Sequence, residues 1–309
     1  MCCHMIRAYS FVYEFLKYLA SGEKSLIPRR VRNSLRFSRL YLRLGMKQAQ
    51  AAIKAEFPEG DFPILQSLVD RNDGMYAHDH PQHYFYVAYS ALACVRSCAQ
   101  RKSGENFRSI LDLPCGHGRV LRALKAAFPE ASFTACDLDK QAVDFCSRTF
   151  GVSGVYSKID PRMIHIRPNF DLIWVGSLFT HLDYDRWSYF LDLFRSVLTK
   201  DGLLLFSAHG EFVAERLERF SAFYGLSSEQ IKAMKDQYAR RGFGYADYSN
   251  LTGYGISLSA PEWIKKTLRS HSLDLAAFMP KGWDNHHDVW AVKCKLAYSD
   301  SQARDTSLG

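Results

Sequence analysis

The chain has no long apolar run. None of its apolar segments approaches the roughly 20 residues that a membrane-spanning helix needs, and residues 1–20 are interrupted by Glu14 and Lys17. These residues also show no small-residue cleavage site, so we expect neither a membrane span nor a secretory signal. With 47% apolar residues, the composition is that of a globular protein with a hydrophobic core. The length of 309 residues allows one large domain or two small ones.

Paired cysteines are also lacking. None of the eight cysteines stands in a Cys-x-x-Cys pair, which suits reduced thiols in the cytosol rather than a disulfide framework. His78, His80 and His83 alternate in a loop-like stretch without the spacing of ligands on a helix. We therefore predict a cytoplasmic protein without a metal site.

Excess positive charge is confined to the start of the chain. Residues 1–56 contain eleven basic and three acidic residues, a net charge of +8 that equals that of the whole chain, and the remainder is balanced. A nucleic-acid substrate normally requires excess basic charge around the site that binds it. We therefore do not expect nucleic acid to be a partner.

Four arginines in this segment share one face of a predicted helix, because Arg32, Arg36, Arg39 and Arg43 are spaced by four, three and four. Two interpretations stay open. The helix packs on the core and exposes a solvated basic face, or residues 29–44 contact an anionic membrane surface and make the protein peripheral to it.

The stretch from Ser109 to Cys146 has the pattern of a nucleotide-binding unit. An apolar strand ends in the small-residue turn Pro114-Cys115-Gly116-His117-Gly118, a helix follows from near Arg119, and a second strand, 132–136, precedes Asp137. Glycines allow positive φ and close approach of a ligand, and the helix start offers free N–H groups. A carboxylate such as Asp137 suits a ribose diol. A dinucleotide site would have a small residue where Leu121 stands, which argues against NAD.

These residues resemble the motifs of the class I S-adenosylmethionine-dependent methyltransferases. The first motif is matched by Ile110-Leu-Asp-Leu-Pro-Cys-Gly-His-Gly118 and the acid of the second strand by Asp137 in Ala135-Cys-Asp-Leu-Asp139. Residues 170–177 and 198–206 are similar to the fourth and fifth strands. The resemblance covers roughly residues 107–210. Pro114 departs from the glycine usual in the family, and the adenine-side acid is not evident in residues 157–160.

The resemblance implies an α/β fold: a seven-stranded, mostly parallel, doubly wound sheet with an antiparallel closing hairpin, a helical N-terminal extension and an inserted cap. We predict a basic helical extension over residues 1–56 and a cap or lid loop with an aromatic helix over 57–106. The methyltransferase domain spans 107–298 with the inserted cap at 210–258, and a disordered tail covers 299–309.

Several element boundaries follow from local patterns. We expect helices over residues 186–198 and 211–224, and a turn at Asp201-Gly202 that leads into a fifth strand, 203–207. Two final strands, 273–278 and 289–295, should be joined by the loop 279–288. Asp73, Gly74 and Met75 are candidates for a lid over the cofactor.

The resemblance also implies a cofactor, S-adenosylmethionine, and a set of residues that bind it: Asp112, Pro114, Cys115, Gly116, His117, Gly118, Asp137, Leu138, Ser157, Gly176 and Ser177. Because histidine titrates near neutral pH, we predict His181 and then His209 as catalytic bases. The candidates for acceptor binding are Tyr76, Tyr84, Tyr254, Asp284, Asn285 and His287.

The predicted activity is methyl transfer to an oxygen of a small-molecule or glycan-type acceptor. Aromatic side chains and the Asn/Asp-rich stretch would suit sugar rings and hydroxyls. Two alternatives stay open, a non-catalytic module that binds the cofactor and an NAD-dependent oxidoreductase.

Overall fold

The computed structural model describes residues 37–76, 80–99, 107–167, 169–219, 224–249 and 251–295. The strands in these ranges are β1 (Ser109–Asp112), β2 (Ser132–Asp137), β3 (Ser153–Tyr156), β4 (Phe170–Val175), β5 (Leu198–Ala208), β6 (Phe243–Asp247), β7 (Gly255–Ser259), β8 (Leu273–Trp283) and β9 (His287–Cys294). The α-helices are α1 (Arg39–Glu56), α2 (Pro81–Ala99), α3 (Leu121–Ala127), α4 (Lys140–Phe150), α5 (Tyr184–Val197), α6 (Glu211–Glu218), α7 (Ser228–Arg241) and α8 (Pro261–Ser270). The tail predicted at 299–309 lies outside the described residues.

Seven of these strands form one sheet in the order β3-β2-β1-β4-β5-β9-β8. The pairs among β1 to β5 are parallel, whereas β9 pairs antiparallel with both β5 and β8. The predicted fold class is therefore confirmed. Since β1, β2, β4 and β5 are parallel, their carboxyl ends meet at one edge, where open α/β sheets bind ligands.

Alternate residues of the central strands point to opposite faces of the sheet and pack into two hydrophobic cores, one on each face. In β4, Leu172 and Trp174 pack with α1, α2, α3 and α4, while Ile173 and Val175 pack with α5 and α8. Both faces of the sheet are thus covered, which explains why its parallel strands read as continuous apolar runs.

Helix α1 packs against α2 through an apolar stripe. Its buried residues include Leu42, Met46, Ala49 and Ile53, spaced by four, three and four. The helices approach closely at Gly45, where an added Cβ would lie 2.6 Å from Cβ of Pro81.

The basic stripe is only partly described. Arg39 and Arg43 lie on the exposed face of α1, while residues 29–36, including Arg32 and Arg36, lie outside the described residues. None of the helices in the described part of the chain is long and apolar enough to cross a membrane.

The segment inserted after β5 has its own small core. Helices α6 and α7 pack on the two-stranded sheet of β6 and β7, with Val213, Leu217, Met234 and Ile256 buried between them. The insert is tied to the large sheet because the N–H of Ser259 donates to the carbonyl of His209 at 2.9 Å.

Three predicted boundaries are wrong. Strand β5 begins at Leu198, so Asp201-Gly202 lies within the strand, and the helix predicted to reach residue 224 ends at Glu218. The loop predicted at 279–288 is mostly strand, since β8 runs to Trp283 and β9 starts at His287. Within the predicted cap, β6 and β7 form a hairpin. In β5 and in the β8–β9 hairpin, pairing with a neighbouring strand overrides the local turn signal.

Arg122 of α3 holds the segment before β1 against the glycine turn. Its buried guanidinium donates to the carbonyls of Gln66 and Leu68 at 2.8 and 3.0 Å, and to the hydroxyl of Tyr84 at 3.1 Å. Tyr84 in turn donates to Asp73 at 2.6 Å. The rigid fork of five N–H donors in arginine makes one side chain able to join three segments.

We expect Arg122→Met to lower the free energy of unfolding by about 3 kcal/mol, because it leaves buried carbonyls and the Tyr84–Asp73 pair without their donor. Chemical denaturation measures this change. The matched control is Arg148→Met on the exposed face of α4, which should stay within about 0.5 kcal/mol of the wild type. Equal losses in the two variants would contradict this role for Arg122.

Candidate functional site

The turn after β1 depends on two glycines with different roles. Gly116 has φ +47° and Gly118 φ +74°, both in the region that disfavours side chains. A Cβ on Gly118 would lie 2.5 Å from the ring of Phe150, whereas a Cβ on Gly116 would meet no protein atom within 4 Å. Packing therefore requires the second glycine, while the first leaves free space beside the backbone.

Asp137 joins the ends of β1 and β2. Its Oδ2 accepts the N–H of Gly116 at 2.8 Å and its Oδ1 accepts that of Asp139 at 2.9 Å. Burial raises the pKa of this carboxyl, and the two N–H groups oppose the rise. Each carboxylate oxygen can accept a second hydrogen bond, so Asp137 remains able to bind a diol.

Asp112, at the end of β1, is buried, and its Oδ2 has no hydrogen-bond partner. Burial, and secondarily the neighbouring Asp137, raise the pKa of Asp112 well above its usual value. A buried polar atom without a partner is costly, and it fits a site that a polar ligand completes.

A cavity of about 520 Å³ lies beside these acids. Five residues of the predicted cofactor set line it: Pro114, Asp137, Leu138, Ser157 and Ser177. The remaining six do not line the cavity and belong to the elements behind it: Asp112, Cys115, Gly116, His117, Gly118 and Gly176. The peptide bond between Leu113 and Pro114 is cis.

The rim of the cavity is apolar and exposed. Leu138 is 58% and Ile159 77% exposed, although both line the cavity. Asp160, in the region where an adenine-side acid was sought, instead pairs with Arg162 at 2.8 Å. Apolar contact rather than a carboxylate is therefore what this rim offers to a flat ring.

The end of β4 is held by a residue that sequence reasoning missed. The N–H of Ser177, which has φ +56°, donates to Oγ of Ser207 at 2.8 Å. Ser207 is fully buried in β5. A serine at the end of the apolar run Leu203–Phe206 was the available signal, because a buried hydroxyl needs a partner.

His181 ends the 3₁₀ turn Phe179–His181, which follows β4 after the connection 176–178. Its Nδ1 donates to the carbonyl of Gly255 at 2.8 Å, and its ring stacks on Tyr254 with centroids 5.0 Å apart. Tyr254 lines the cavity. Burial lowers the pKa of His181, and because a carbonyl only accepts, Nε2 carries the lone pair.

The second predicted base, His209, follows β5 and belongs to a cluster. The His209 and His287 rings lie 5.0 Å apart, and those of His286 and His287 4.9 Å apart. Burial lowers the pKa of all three histidines, that of His287 to about 3. The three imidazoles are thus neutral near pH 7.

Two of the predicted acceptor residues do not reach an open surface. Tyr76 and Tyr84 are each 1% exposed and pack edge to face, so their predicted contact with an acceptor is corrected to a role in the core. The lid candidate Asp73 is also buried and is bonded to Tyr84.

Asp284 and Asn285 form the turn between β8 and β9, both with positive φ. Asp284 is bonded to His83 at 3.0 Å, and Nδ2 of Asn285 donates to Tyr86 at 3.3 Å. Their side chains fasten the hairpin to α2. Sequence reasoning missed this contact because it joins segments far apart in the chain.

Comparison with known proteins relates the range that contains these residues to a known family. The sequence model of a family described as "Methyltransferase domain" matches residues 110–202, the range that contains the glycine turn, Asp137, Ser177 and His181. Residues 110–202 are thus similar to a methyltransferase domain of the class I S-adenosylmethionine-dependent type, and the cofactor of such a domain is S-adenosylmethionine. The match disfavours the NAD-dependent alternative, whereas the non-catalytic module remains the alternative to an enzyme.

Individual relatives of this chain are distant. The malonyl-[acyl-carrier protein] O-methyltransferase of Halalkalibacterium halodurans is 26% identical over 197 residues, which are 62% of this chain and 65% of the relative. The chain thus spans slightly less than two thirds of that protein's length.

Solved structures show similar chains. A S-adenosylmethionine-dependent methyltransferase from Clostridium acetobutylicum is 15% identical, with a TM-score of 0.47 and coverage of 81% of this chain and 98% of the other. Human N-acetylserotonin methyltransferase is 14% identical, with a TM-score of 0.44 and coverage of 70% and 55%.

The residues around the cavity fit this cofactor. Asp137 offers acceptors for the ribose hydroxyls, Leu138 and Ile159 offer apolar contact to the adenine, and Asp112 has a buried oxygen without a partner. When bound, S-adenosylmethionine supplies a methyl group that is already electrophilic.

We expect Gly116→Val to weaken S-adenosylmethionine binding by tenfold or more while the protein stays folded, because its side chain takes up space beside the turn. The same change at Gly118 should instead lower the melting temperature, since its side chain collides with Phe150. Calorimetric titration and thermal melting on both variants measure this contrast.

The two substitutions are matched controls for each other, because both place valine at a positive φ. If Gly116→Val bound the cofactor as the wild type does, the free space beside that residue would not belong to the cofactor site.

Proposed function

We propose that this methyltransferase transfers the methyl group to an oxygen of a small-molecule acceptor, with His181 as the general base. The observation that supports this most is the single tautomer of His181. Its Nδ1 proton is held by the carbonyl of Gly255, so Nε2 is free to accept a proton from a hydroxyl group.

The position of His181 supports the same role. It lies in the first turn after β4, and ligands bind beyond the carboxyl ends of the strands in this fold. Its stacking partner Tyr254 and its helix neighbour Leu182 line the cavity. These contacts hold the imidazole in one orientation, and positioning supplies much of the rate in a transfer that needs alignment.

The acceptor class rests on weaker support. The relative from Halalkalibacterium halodurans is named as an O-methyltransferase, which favours oxygen. We propose a small molecule rather than a glycan, because Asp284 and Asn285, which were expected to bind sugar hydroxyls, have their side chains bonded to α2. Membrane contact through residues 29–44 stays a separate proposal, supported in the described part by the exposed Arg39 and Arg43.

We expect His181→Ala to lower kcat by about 100-fold or more, the usual contribution of a general base, without changing the Kd for S-adenosylmethionine. The assay is formation of demethylated cofactor with the best acceptor from a panel of hydroxyl and carboxyl compounds. The control is His165→Ala, an exposed histidine. Unchanged turnover in His181→Ala would remove this residue from the mechanism.

The pH dependence of kcat provides a second test. Burial lowers the pKa of His181 below its usual value of 6.5, so the base form is present throughout the neutral range and is lost only as the pH falls through a lower value. We expect kcat to be flat around pH 7 and to decline with a midpoint below 6.5. A midpoint above 7 would contradict this assignment.

A further inference from the structure

Three histidines converge at the edge of the sheet that carries the site. His209 directly follows β5, while His286 and His287 lie at the tip of the β8–β9 hairpin. One ligand atom from each lies within 4.8 Å of the other two. Antiparallel pairing of β5 with β9 brings these distant parts of the chain together.

Two of the rings present nitrogens without partners. Nδ1 of His209 and Nδ1 of His287 are buried and make no hydrogen bond. A buried nitrogen without a partner is costly, and the nitrogen of a neutral imidazole is a common ligand of metal ions.

The surroundings can balance a cation. Asp288, next to His287, is buried, and its Oδ1 accepts the N–H of Lys281 at 2.9 Å. Its Oδ2 lies beside Gly210, where an added Cβ would come within 1.9 Å of it. The carboxylate of Asp284 also acts on His286, while the guanidinium groups of Arg216 and Arg119 act on His286 and His287 with the opposite sign.

We propose that His209, His286 and His287 bind a divalent transition-metal ion of the Zn²⁺ class. Imidazole nitrogens suit Zn²⁺, Co²⁺ and Ni²⁺, and three protein ligands leave a fourth position for water or an acceptor oxygen. This site is independent of the assignment of His181 as the base.

Binding needs a small contraction. Nitrogens in a tetrahedral zinc site lie about 3.3 Å apart, compared with up to 4.8 Å here. His286 is the ligand able to supply the movement, because it is only partly buried and follows the hairpin turn. Its Nε2 bonds to the hydroxyl of Tyr224, which can give way to the ion.

The test is titration of chelator-treated full-length protein with Zn²⁺ by calorimetry and with Co²⁺ by visible absorption. We expect one ion per chain and a Co²⁺ spectrum of a histidine-ligated site. His286→Ala should weaken Zn²⁺ binding by about 100-fold or more, since loss of even an outer-shell partner costs ten- to a hundredfold. His165→Ala should bind as the wild type does.

His286→Ala removes a partly exposed side chain and should fold, which circular dichroism verifies. His209→Asn provides a second variant that keeps a polar group at the buried position. The proposal is overturned if folded wild-type protein takes up neither ion, or if His286→Ala and His209→Asn both bind Zn²⁺ with the affinity of the wild type.

Discussion

The carboxylate of Asp137 carries the geometry on which the rest of the site depends. It accepts N–H groups from Gly116 and from Asp139, and so joins the glycine turn to the end of the second strand. The turn can offer its backbone to a ligand only because Gly116 and Gly118 adopt positive φ. The hydrogen bond between Gly116 and Asp137 therefore fixes the backbone of the turn beside a carboxylate at the ends of two neighbouring strands.

The surrounding elements hold the site from two sides. Arg122 joins the segment before β1 to α3, and the insert after β5 reaches back through Gly255 to His181. Each contact joins the large sheet and its helices to a segment outside them, the first before β1 and the second in the insert. Both the strand ends of the large sheet and residues 251–254 of the insert line the cavity, so the added segments contribute to the shape of the candidate site.

The cofactor half of the site was predictable from sequence because its signals are local. The turn of Gly116 and Gly118 and the acid Asp137 lie within one strand–helix–strand unit, and the structure places Asp137, Leu138, Ser157 and Ser177 around one cavity. The alternating order of strands and helices was likewise enough to predict the sheet, since parallel pairing and its crossovers follow few rules.

The acceptor half was not predictable, because its contacts join residues far apart in the chain. The sequence predicts that Tyr84 contacts an acceptor, yet hydrogen bonds to Arg122 and Asp73 hold it in the core. The hairpin tip reads as a loop, but pairing with β5 extends it and brings His287 to His209. Local patterns carry no information about such pairs.

The most direct test of the central claim is the structure of the protein crystallised with S-adenosylhomocysteine, the demethylated cofactor. We predict density for the ligand in the cavity beside Leu138 and Ser157, with both ribose hydroxyls bonded to Asp137. Density at another edge of the sheet, or a ribose that does not contact Asp137, would contradict the account.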